Sequence, residues 1–320
     1  MTRIPRFAIR SATASAALAL AAISAPAPAQ QGAPYTVVET GKGYERLQDA
    51  VNAIGGGTGT IRFAPYRFVD CAVQDAGNVT YIAEVPGQSV LEGAACEGKA
   101  ALVLRGRSAR VEGLVFANIR VPDKNGAGIR LERGDLVVSQ TWFRDSEQGI
   151  LSGNDSSGTI AIDKSTFTRL GTCEGAGGCA HSIYIGNYGA LTVTRSRFEG
   201  GRGGHYVKTW SRRVAVLNSS FDDSGGRSTN YMIDLSGGST GRIANNWFVQ
   251  GRDKENYSAF IAVAPEAHEH SSDGLIIENN DARFAPGVSR NSTFVADWSG
   301  DRLAIGPNAL GPGLIRKDRR

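Results

Sequence analysis

Two of the four histidines in this 320-residue chain, His181 and His205, stand three residues ahead of Tyr184 and Lys208, and Tyr231 stands in the same relation to Asp234. Counting back through comparable segments, Arg130, Tyr184, Lys208 and Asp234 fall at equivalent positions. Imidazoles, a phenol, an ammonium and a carboxylate on one surface are the ingredients of proton transfer. An elimination beside a carboxyl group needs a base, a cation to neutralise that carboxylate and an acid for the leaving oxygen. Lys208 is the expected base, its pKa lowered by desolvation or a nearby cation. His181 or His205 is the second proton-transfer group, Arg130 or Arg212 the carboxylate binder, and Tyr184 or Tyr206 an acid or stacking platform. Trp210 and Tyr231 add aromatic surface, and Asp234 completes the acid–base set. A structural reading stands beside this one. The histidines have inward parity and suit corners bonded to turn carbonyls. Lys208 suits a salt bridge with Asp234, and exposed tyrosines follow from strand propensity.

For such residues to meet, the chain must stack. From residue 102 onward one pattern recurs: a short alternating apolar strand, a Gly-rich or polar turn, a second strand, then Ser or Asn shortly before a large apolar residue. Phe116, Phe143, Phe167, Phe198, Phe221 and Phe248 mark it, 23 to 31 positions apart. One such unit cannot bury its apolar face alone, so successive units pile up with equivalent strands in parallel. Alternation sends Ile183, Ile185, Val207 and Thr209 inward and Tyr184 and Lys208 outward. The 41 glycines mark tight bends. Asn218, Ser219, Asn245, Asn246, Asn279 and Asn280 recur at turns and read as internal Asn/Ser ladders that satisfy buried backbone groups. The expected architecture is all-β, a single-stranded right-handed parallel β-helix, with residues 30–320 as one domain. A helix over 44–54 (YERLQDAVNAI) puts Leu47, Ala50, Val51 and Ile54 on one face. It belongs to a cap at about 35–70 that covers the end of coils running over about 75–312.

Residues 1–29 read as a secretory leader: Arg3, Arg6 and Arg10, a small apolar run over 11–25, and Ala27-Pro28-Ala29 before a cut after Ala29. Lys and Arg number 35 and Asp and Glu 31. The excess lies largely in the leader, so the mature chain is near neutral and gives no support for nucleic-acid binding. No integral membrane segment is expected. The protein is placed in the periplasm or outside the cell, as a monomer. An exported chain pairs its cysteines, and Cys71–Cys96 and Cys173–Cys179 are favoured: the first pair on neighbouring segments, the second closing the loop CEGAGGC. The Asp222-Asp223 pair offers carboxylates of a type that bind Ca²⁺, although turn solvation is the commoner role and no calcium-binding repeat is present. His268 and His270, with Glu266 and Glu269 in PEAHEHSSDG, form an H-x-H group of metal-ligating type, but the polar run reads better as a loop insertion, and no metal site is assigned.

The run GYERLQDAVNAIGGGTGTIRFAPYRF, followed by these coils, resembles the pectate-lyase-like superfamily of right-handed parallel β-helix proteins over nearly the whole mature chain. The block from HSIYIGNYGALTVTRSRF to TNYMIDLSGG is similar to a branch of exported bacterial β-helix repeat proteins. The superfamily includes polysaccharide lyases, glycosidases, epimerases, esterases and non-catalytic adhesins. A further likeness to polygalacturonases rests on Cys179-Ala180-His181-Ser182-Ile183-Tyr184-Ile185-Gly186 and on Tyr206-Val207-Lys208-Thr209. There Tyr206 replaces an Arg, and the paired Asp residues ahead of His181 are missing, which removes the agents of that hydrolysis. The resemblance implies an exported polysaccharide-active protein acting around residues 181–234, a lyase of uronic-acid-containing glycans before a glycosidase or a glycan-binding surface protein.

Overall fold

Three short strands recur in every coil, and each stacks on its equivalent in the next. In the computed structural model, which describes residues 1–2 and 32–320, this produces one twelve-stranded and two ten-stranded sheets. The proposed cut after Ala29 lies outside the described residues. Apart from the N-terminal strand Tyr35–Val37, which pairs antiparallel with Lys42–Tyr44 and Thr58–Phe63, successive strands pair in parallel. Residues Gly32–Arg320 form one compact unit, a parallel β-solenoid with a single short helix.

The register explains the apolar alternation. In the first sheet Val138, Ile162, Val193, Val216, Ile243 and Ile277 align rung upon rung. In the third, Ile129, Ile150, Ile183, Val207, Ile233 and Ile261 do the same. All of these are buried. The six marker phenylalanines sit in three- or four-residue strands of the second sheet, with successive ring centroids 4.7 to 5.0 Å apart. That separation is the interstrand spacing of a parallel sheet, which forces the rings face to face. These short strands form a third side of the coil that the two-strand reading of each repeat did not separate.

The turn ahead of each phenylalanine divides two jobs between adjacent residues. Asn218, Asn245 and Asn279 adopt positive φ, 53°, 58° and 55°, a conformation Asn tolerates better than most residues. The next residue points inward. Backbone N–H groups of Ser196, Ser219, Asn246 and Asn280 donate in turn to side-chain oxygens of Ser219, Asn246, Asn280 and Asn308, at 2.9 to 3.1 Å. The expected ladder therefore runs through Ser219, Asn246 and Asn280, while Asn218, Asn245 and Asn279 make the corner.

The helix is Leu47–Ile54, with Leu47, Ala50 and Val51 buried over the first coil and Ile54 packed at its margin. It starts three residues later than expected because Lys42–Tyr44 is already paired as a strand. Coils also begin earlier than read, at Thr58–Phe63, Arg67–Phe68 and Ala72–Gln74, and the last strand is Leu314–Arg319. That final strand carries Arg316, Lys317, Asp318 and Arg319, charges that discourage edge-to-edge pairing. Disulfides join Cys71 to Cys96 and Cys173 to Cys179. Among the described residues no helix is long and apolar enough to cross a membrane.

Candidate functional site

On the third sheet the strands Ile183–Ile185, Val207–Thr209 and Ile233–Leu235 lie side by side. Tyr184, Lys208 and Asp234 are in register between inward-facing neighbours. Arg130 belongs to the same column, with Leu151 between it and Tyr184. The ammonium of Lys208 lies 5.4 Å from the Tyr184 ring centre. At the preceding corner the rings of His181 and His205 stack at 5.0 Å, and Tyr231 continues the stack 5.5 Å from His205. Two parallel series thus meet, three residues apart in each coil.

Both histidines are buried at this corner. His181 accepts the backbone N–H of His205 on Nδ1 (2.9 Å), so its remaining proton sits on Nε2. His205 Nε2 lies 3.2 Å from Asp234 Oδ2, and its Nδ1 is buried without a partner. Asp234 also accepts the Ser236 hydroxyl at 3.1 Å. The direct ion-pair partner of Lys208 is Glu266, from the segment that follows the strand Ala259–Val263.

Burial and charge set the protonation of this cluster. Desolvation, helped by the Lys208 charge, pushes His181 down to about 3, so it is a neutral donor rather than a base. His205 is likewise held well below the ordinary imidazole value by burial, with His181, Lys208 and Lys254 adding to the effect. Burial lifts the Asp234 carboxyl up to about 7, against the pull of Lys208. For Lys208 burial opposes the charge, but Asp234 and then Glu266 outweigh it and hold the pKa above the ordinary lysine value. The lowered pKa expected of a Lys208 base is therefore not found, because its carboxylate neighbours favour the ammonium.

Two concavities open on either side of Tyr184. One, of about 390 Å³, is lined by His181, His205, Lys208 and Glu266, with Asp123 and Glu255 on its walls. The other, of about 490 Å³, holds Arg130, Trp210, Asn187 and Glu269. Arg130 is part-buried, and its Nε has no hydrogen-bond partner. Arg130 and Trp210 are therefore brought to this concavity.

Three expected binding residues are not. Tyr206 lies inside the coil, its hydroxyl donating to Asp223 (2.6 Å) and accepting from Gly201 N–H, because its position in the coil faces the core. Tyr231 is buried, wedged between His205 and Trp298, with Asn256 donating to its hydroxyl at 2.9 Å. Arg212 is exposed at the corner after the strand, beyond either concavity. Nor does the Asp222-Asp223 pair suit a cation. Asp223 is filled by Lys254 Nζ (3.1 Å), Thr229, Tyr206 and Gly251 N–H, while Asp222 accepts from Ser224. The H-x-H group diverges: His270 Nε2 meets the Trp210 carbonyl at 3.1 Å, His268 is exposed, and Glu266 is on Lys208.

Glu266 and Glu255 were not assigned to the site from sequence. Each comes from a loop whose length varies from coil to coil, so no fixed repeat spacing points to it.

No protein-family description matches the chain, and no curated protein matches it. Among solved structures it is similar in fold to the rice weevil pectin methyl esterase, with a TM-score of 0.50 and 10% identity over 71% of this chain and 79% of the esterase. An alginate lyase (TM-score 0.38, 14% identity, 86% of this chain and 52% of that one) is a more distant likeness. So is a capsular polysaccharide depolymerase tailspike of an Acinetobacter baumannii bacteriophage (0.35, 10%, 84% and 59%). This chain thus spans little more than half the length of those two. The likeness is one of fold, the β-helix.

Proposed function

We propose that this protein is an exported glycan-active enzyme, a lyase that cleaves a uronic-acid-containing chain by β-elimination in the groove of the third sheet. The observation that carries this reading is the meeting of a retained ammonium, Lys208, with an acid–base pair, His205–Asp234, beside a phenol, Tyr184. His205 lines the groove, and the pair it forms with Asp234 across 3.2 Å is the acid–base group of the site. In this scheme it takes the proton beside the sugar carboxylate. The electron pair forms the C=C bond, the C–O bond to the leaving sugar breaks, and Tyr184 protonates the departing oxygen. Lys208 neutralises the carboxylate as charge builds on it. Arg130 and Trp210 hold the next sugar, one by charge and the other by stacking.

A glycan ligand also accords with the esterase of similar fold. The two disulfides suit an oxidising compartment, in keeping with the leader read over 1–29.

Incubation of the mature protein with a panel of acidic and neutral polymers tests this. An unsaturated, ultraviolet-absorbing product is expected from an acidic polymer. Cleavage without that absorbance would assign hydrolysis to the groove, with the raised carboxyl of Asp234 as its acid. Neither cleavage nor saturable binding across the panel would remove the glycan reading.

A further inference from the structure

The segment 264–274 leaves its own coil and runs back across the groove. Ala264 starts it with φ +55°, a left-handed conformation that costs a residue with a Cβ about 1 kcal/mol, and the chain turns there onto earlier coils. Backbone N–H groups of Glu266 and Ala267 donate to Ser236 O, both at 3.1 Å, and that of His270 to Gly237 O at 2.8 Å. The His270 ring reaches Trp210 O, one coil further back. Ser271 and the Ser272 N–H meet Asp301 at the far end. The strap is therefore tied at both ends, with Glu266 and Glu269 exposed between the ties.

Glu266 passes the coil of Asp234 to reach Lys208. The Lys208 side chain is 11% exposed and that of Glu266 is 43% exposed. The fixed partner is thus the cation, and the movable one is the carboxylate. The concavity around them holds Asp123, Glu255 and Glu266 against the single ammonium of Lys208. With Glu266 in place an entering anion meets three carboxylates around one ammonium; with Glu266 swung out the direct contact on Lys208 is open and one negative charge is removed.

We propose that Glu266 is a displaceable counterion: the carboxylate of an incoming acidic glycan takes its place on Lys208, and this exchange makes Glu266 a specificity-determining residue. An anionic chain replaces like with like and keeps Lys208 paired. A neutral chain that moved Glu266 aside would leave a part-buried ammonium without its hydrogen-bonded carboxylate, so it is turned away. The inference rests on the glycan reading given above.

Two measurements on the full-length mature protein separate its failure from failure of that reading. The first is pulsed acetylation of lysines read by peptide mass spectrometry. Glu266→Gln keeps the shape of the strap and removes the counterion, so Lys208 labelling should rise several-fold while the other lysines hold; equal labelling of Lys208 in both proteins overturns the proposal. The second is calorimetric binding of uronate trimers of the common types and of their methyl esters. Glu266→Gln should bind the best acidic trimer about tenfold more tightly, the scale of one charge-assisted contact, with the acid-to-ester preference changed by the same factor. Unchanged or weaker acidic binding overturns the exchange. Increased labelling with no trimer bound by either protein would retain the counterion and remove the glycan reading.

Discussion

Replacing Lys254 by Met leaves a carboxylate in the solenoid interior with no opposite charge. Lys254 Nζ and the Asp223 carboxylate are 3.1 Å apart, and both side chains are wholly buried. Burial lowers the Lys254 pKa, so the pair holds a costly cation for the sake of its partner. Three neutral donors would remain on Asp223: the hydroxyls of Tyr206 (2.6 Å) and Thr229 (2.7 Å) and the N–H of Gly251 (3.0 Å). They soften the loss without replacing the charge. Breaking one side of such a pair costs about 3–5 kcal/mol. At roughly 2–4 °C per kcal/mol for a chain of this size, the melting temperature should fall by about 6–20 °C. Lys254 also donates to the Asn230 carbonyl at 2.5 Å, and Asn230 N–H bonds to Gly204 O, next to His205, so the damage should centre on the histidine corner. Urea unfolding of Lys254→Met, Asp223→Asn and the double variant would measure the coupling, and the double variant should lose less than the two single losses added together. A loss below about 1 kcal/mol for Lys254→Met would refute the argument, since the hydroxyls and the amide would then suffice to hold the charge.

The His181 imidazole, held down to about 3, binds fewer protons folded than unfolded between that value and 6.5. Its contribution to stability is thus present above about pH 6.5 and lost as the pH falls towards 3. Nuclear magnetic resonance of the four histidines should show this ring silent from pH 8 to about 5, and a midpoint near 6.5 would contradict the buried geometry. Asp234, pushed up to about 7, holds its proton more tightly folded than unfolded, so its contribution is present below about pH 4 and lost as the pH rises through 7. Thermal scans should therefore find Asp234→Asn more stable than the parent at pH 8, with the difference vanishing near pH 4; a pH-independent difference would count against it. In the polar ladder, Asn246→Ala strands the Ser219 N–H and the Val216 carbonyl, bonded at 2.9 and 2.8 Å. A loss of about 2–4 kcal/mol in urea is expected, and one under about 0.5 kcal/mol would mean that water enters the turn.

Recurrence made the fold legible. The six phenylalanines and the alternating strands announce stacking whatever the loops do, and a shift of one residue in a loop leaves the column intact. The same logic placed Tyr184, Lys208 and Asp234 together, because parallel register carries one outward position from coil to coil. What parity could not show was depth. Tyr206 and Tyr231 look like groove aromatics in the sequence, yet the corner ahead of each strand turns both into the interior. Protonation was equally hidden. Lys208 reads as a base until Asp234 and Glu266 are seen around it, and Glu266 arrives from a loop insertion with no counterpart in other coils. The buried Lys254–Asp223 pair escaped for a similar reason, since both residues lie in polar turns that read as solvated.

The reading of the groove stands most directly on Lys208. On the polymer that the parent protein cleaves, Lys208→Ala should lower turnover by at least a hundredfold, about 2.7 kcal/mol of lost charge stabilisation, while the Kd for a matched oligosaccharide rises far less. Turnover within a few-fold of the parent would show that this ammonium takes no part in the reaction, and the site would have to be sought elsewhere on the solenoid.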